Sequence, residues 1–102
     1  MDWGKVLSKN IIPVAIEVTE KQGNSYYTAF KDRLVATTGN LRMIFIGGHS
    51  FVTVIIKTRK NGTVVYDDTI LDHEINDETI WDCFDTLFDL ELKEQQNNRR
   101  AG

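Results

Sequence analysis

A single cysteine, Cys83, excludes any disulfide within the chain. Long apolar runs are missing too. No stretch approaches the ~20 apolar residues of a membrane span, and the opening MDWGKVLSKN lacks the apolar core of a signal peptide. A cytoplasmic protein is therefore expected, in the host cytoplasm if the chain is viral, with no membrane among its partners. Asn61-Gly62-Thr63 matches a glycosylation acceptor, but without secretion it reads as a hairpin turn.

Catalytic signatures are equally scarce. His49, His73 and Cys83 are the residues that could seed a zinc or nucleophilic site, and they form no CxxC, HxxxH or HExxH spacing. Gly47-Gly48-His49-Ser50 fits neither GxSxG nor GxxxxGK and reads as a turn. Asp67-Asp68, Asp72 and Glu74 supply neighbouring carboxylates, which do acid–base work only in a cleft that shifts their pKa values. No calcium-loop spacing surrounds them. The expectation is a protein that is not an enzyme, with no catalytic residue, metal or cofactor.

What the chain does have is a sharp asymmetry of charge. Its 102 residues suit one domain with a modest core, expected over 1–94 with a disordered tail at 95–102. Residues 1–60 carry nine Lys/Arg against four Asp/Glu, a net of +5; residues 61–102 carry three against eleven, a net of −8.

Much of the negative charge sits in Asn76 to Glu94, whose periodicity predicts an amphipathic helix. Asn76 is its N-cap, Asp77 and Glu78 suit the positive end of the helix dipole, and Ile75 with Ile80 has staple spacing. Ile80, Trp81, Phe84, Leu87, Phe88 and Leu92 form the apolar arc, with Thr79, Cys83 and Leu90 on its flank. Glu78, Asp82, Asp85 and Asp89 line the opposite side as i,i+4 like-charge pairs, each unfavourable by about 0.2–0.5 kcal/mol.

Ahead of this helix the pattern predicts five antiparallel strands. After a lead-in over 1–10, Val14, Ile16 and Val18 alternate in a strand at Val14–Glu20. Tyr26–Thr37 follows, with Lys31-Asp32-Arg33 as a bulge. Gly39-Asn40 turns the chain into Leu41–Ile46, Gly47-Gly48 into His49–Arg59, and Asn61-Gly62 into Thr63–Ile70. The expected fold is α+β: a five-stranded antiparallel meander, curved or a small half-barrel, followed by the acidic helix. Met43, Phe45, Val52, Val54 and Ile56 share one sheet face, and Ile44, Ile46, Phe51 and Ile55 the other. One helix covers one face. The second must close into a barrel, meet the N-terminal segment or pair with another protein, so a homodimer or half-barrel is expected.

Two binding surfaces compete. The ridge Glu78, Asp82, Asp85 and Asp89, extended by Asp67, Asp68 and Asp72, suits a protein partner with a basic surface; its bland counterpart is a solvated face. Blocking a nucleic-acid-binding host protein would be a natural outcome, in the manner of small accessory proteins of phages and mobile elements. The alternative is a nucleic-acid-binding sheet using Lys57, Arg59, Lys60, Arg33 and Arg42 beside Tyr26, Tyr27 and Tyr66. Ordinary lysine protection of a hairpin end accounts for the same residues.

Overall fold

A computed structural model describes the backbone of residues 2–101 and the side chains of residues 2–96. Five strands form one antiparallel meander in the order β1 (Ser25–Ala29), β2 (Arg33–Thr38), β3 (Leu41–Gly47), β4 (Phe51–Thr58) and β5 (Val64–Leu71). The sheet is not closed. The α+β class, the strand number and the antiparallel order are as the sequence predicts, but the first two strands are drawn differently.

The segment read as a strand at Val14–Glu20 is helical. Helix α1 (Trp3–Val6), a wide π turn (Leu7–Ile11) and helix α2 (Ile12–Lys21) run on from one another. Asp2 caps α1 by accepting from the Lys5 amide at 3.2 Å. The π turn sits directly before Pro13, whose ring in an unbroken α-helix would strike the Lys9 carbonyl. Ile11, Val14, Ala15 and Val18, spaced as one helical face, are buried, while Ile16 is 42% exposed.

The second expected strand splits in two. Lys31-Asp32, read as part of a bulge, lies in the β1–β2 turn, where the Phe30 amide donates to the Arg33 carbonyl at 2.7 Å. Five strands therefore result, because one false strand is replaced by a divided one.

Helix α3 (Asp77–Ala101) starts as expected. Asn76 Oδ1 accepts from the Thr79 amide at 2.9 Å, and Thr79 Oγ1 accepts in return from the Asn76 amide at 3.0 Å. Its backbone runs on through most of the segment expected as a disordered tail, with Gln95 bonded to Glu91 at 3.1 Å. Side chains from residue 97 onward lie outside the described residues.

Both helical segments pack on the same sheet face. Leu34, Met43, Phe45, Val52, Val54 and Ile56 meet Ile11, Val14, Val18, Ile80, Phe84 and Leu87 in one core. The expected face pairing holds, since Met43 lies opposite Ile56 and Phe45 opposite Val54. The N-terminal segment thus joins α3 on the face already covered. Among the described residues no helix lies over the other face of the sheet.

Candidate functional site

The acids of α3 divide into two groups. Glu78, Asp82, Asp85 and Asp89 are exposed, and none makes a side-chain hydrogen bond or ion pair among the described residues. At 1.5 Å rise per residue the ridge from 78 to 89 is about 16 Å long. Glu91 and Glu94 are different. Glu91 is 9% exposed and accepts from the Asn40 amide at 3.3 Å and from Gln95; Glu94 accepts from the Asn40 side-chain amide. These two carboxylates tie the helix to the β2–β3 turn. Leu92, expected on the buried arc, is 56% exposed, and Cys83 takes a buried place instead.

The proposed extension of the ridge is only partly brought together. Asp68 pairs with Val54 on the covered face and lines a depression of about 250 Å³ with Asp82, Cys83, Tyr66 and Thr86. Asp67 pairs with Ile55, on the open face, on the far side of the sheet from α3. Asp72 stands in the 3-10 turn Asp72–Glu74 that leads toward α3. Glu74 there accepts from the Leu71 amide at 3.0 Å.

Cys83 is walled into that depression. Burial first, then the charges of Asp68 and Asp82, push its thiol from the ordinary 9.0 up to about 12. The thiolate, the nucleophilic form, is therefore suppressed at neutral pH. Burial and Asp68 also raise the Tyr66 hydroxyl, which donates to Asp68 at 3.4 Å. An unfolded thiol releases its proton from about 9.0 upward, a folded one only near about 12. The stability this group contributes is thus complete below 9.0 and is lost as pH climbs toward 12. In mildly alkaline buffer, iodoacetamide is expected to label Cys83 far more slowly in the folded protein than in denaturant. Equal rates would contradict its burial.

Among the described residues no group of three or more His, Cys, Asp or Glu side chains is placed to hold a metal ion. No helix among them is long and apolar enough to cross a membrane.

Of the basic set, Arg33, Arg42 and Lys57 meet on the open face, from β2, β3 and β4. Arg42 and Lys57 are direct cross-strand partners. Tyr26 and Phe30, at the β1 edge, line the same depression of about 600 Å³. Arg59 and Lys60 do not join them. Arg59 Nη1 donates to the Gly39 carbonyl at 3.2 Å, and Lys60 lies in the β4–β5 turn. Tyr27 and Tyr66 are half-buried against the core on the covered side. No family model, curated protein or solved structure matches this chain.

Proposed function

We propose that this chain is a non-enzymatic interaction protein whose acidic ridge engages a basic surface on a protein partner. The observation that carries the reading is the division of the α3 acids. Glu91 and Glu94 serve the fold, while Glu78, Asp82, Asp85 and Asp89 repel one another along the helix with no cation paired to them among the described residues. Local helix stability favours mixed signs, so a ridge of one sign kept at a cost suits a use outside the fold. A basic partner would supply the missing counter-charge.

Proteins that bind nucleic acid carry such basic surfaces, and a carboxylate ridge covering one would block it. The setting proposed is the cytoplasm, and the type of protein is an inhibitor of the kind phages and mobile elements use. Self-association through the open face, where Ile44 and Ile46 lie among Arg33, Arg42 and Lys57, is tested by sedimentation mass.

Binding through the ridge is expected to weaken steeply as salt rises, because exposed charges are screened within ~10 Å at 0.1 M salt. A complex that forms equally well at low and high salt would sink the reading.

A further inference from the structure

We propose that the open face of the sheet is a binding surface for single-stranded nucleic acid, with Arg33, Arg42 and Lys57 on its phosphates and Tyr26 and Phe30 against its bases. This inference does not rest on the ridge.

The first support is a pairing that the sheet itself disfavours. Arg42 and Lys57 are opposed across β3 and β4, and like charges placed directly opposite destabilise a strand pair. Among the described residues no carboxylate forms an ion pair with either. An anion brought from outside relieves the repulsion. Arg33 stands four residues along from the level of Arg42, about 13 Å at strand rise. A bound strand would therefore cross the face obliquely.

Aromatic surface lies where the bases would fall. Tyr26, on β1, is 50% exposed and Phe30, just past its end, 43%, and both lie beside the cations. Arg33 already lies over the Phe30 ring, its guanidinium carbon 4.8 Å from the centroid. Between them Val35, Ile44 and Ile46 make an apolar floor. Stacking on such a surface tolerates any base, since every base has a flat π face.

Charge is also sorted by side. Helix α3 packs on the covered face, so its acidic ridge is turned away from an approaching phosphate chain. Among the described strand residues, Asp67, at the β5 edge, is the carboxylate that shares the open face. A second copy of the chain fits less well. Face to face, it would set three cations against three, with one Asp67 from each copy to offset them.

The test is fluorescence anisotropy of the full chain with labelled oligo-dT and oligo-U, and with a duplex of equal length, across a salt series. Three phosphate contacts give a slope of log K against log salt of about −2 for a single strand, at ~0.7 per contact. The double variant Arg42→Ala/Lys57→Ala is expected to reduce that slope to about −0.7, with the circular dichroism unchanged. Tyr26→Leu/Phe30→Leu is expected to weaken binding roughly thirtyfold or more at every salt concentration with the slope kept. The ridge variant Glu78→Gln, Asp82→Asn, Asp85→Asn, Asp89→Asn, which adds no cation, keeps single-strand binding, so failure here and failure of the ridge are told apart. The proposal is overturned by absence of binding, by a duplex bound as tightly as the single strand, or by an unchanged slope in the double variant. A dimer that closes this face to the oligonucleotide overturns it equally.

Discussion

Phe45→Ala is expected to cost about 3–5 kcal/mol, and Phe84→Ala a similar amount. Against the ~5–15 kcal/mol that holds a typical domain together, either change leaves a large unfolded fraction in mild denaturant. Phe45 stands at the centre of β3 and Phe84 on the inner face of α3; both are essentially fully buried. Their ring centroids lie 5.9 Å apart at 39°, within the range where a tilted aromatic pair gains about 0.5–1.5 kcal/mol beyond its burial. The double variant should therefore lose less than the sum of the single losses, by roughly that amount. Urea melts of the four proteins check this. Strict additivity would mean that sheet and helix do not meet through these rings.

Gly39→Ala is the second large effect, and its size depends on a residue far away in sequence. Gly39 has φ +54, a backbone region that costs a residue with a Cβ about 1–2 kcal/mol. The added Cβ would also fall on the Glu91 carboxylate. Glu91 can swing aside, but only by releasing the Asn40 amide, and a hydrogen bond to a charged group contributes about 1.5–3 kcal/mol. A combined loss of roughly 2.5–5 kcal/mol is expected. In a Glu91→Ala background the same substitution should cost only the backbone share. If Gly39→Ala costs the same with and without Glu91, the helix is not anchored on this turn.

Why some elements were legible and others were not comes down to particular side chains. Val14 and Val18 are four residues apart, a spacing that fits one turn of helix and also one side of a strand. They could not discriminate. Ala15 and Ile16 could: the helix buries Ala15 and leaves Ile16 exposed, and with Ile11 and Val14 the i, i+3, i+4, i+7 pattern was there to find. The β1–β2 turn carries Lys31-Asp32 without Gly, Pro or Asn; the charged triplet marked an interruption, but Asp32 alone did not distinguish a turn from a bulge. The turns at Gly39-Asn40 and Asn61-Gly62 did announce themselves, and both glycines have positive φ.

At the surfaces, the ridge was readable because it follows from helical spacing alone. The buried role of Glu91 was not, because it depends on a turn 51 residues earlier in the chain. The cations of the open face were visible as residue types. Their grouping required the register that pairs Arg42 with Lys57, and Arg59 fell away from them onto the Gly39 carbonyl.

The most direct measurement compares capture of partner proteins by the wild-type chain and by the variant Glu78→Lys, Asp82→Lys, Asp85→Lys, Asp89→Lys. Circular dichroism first establishes that both are folded alike, as exposed positions with no side-chain bonds among the described residues should allow. The expected result is a basic protein held by the wild type at low salt, released at high salt and absent from the variant. The same partners held by both proteins would make the ridge a solvated surface and contradict the proposed function.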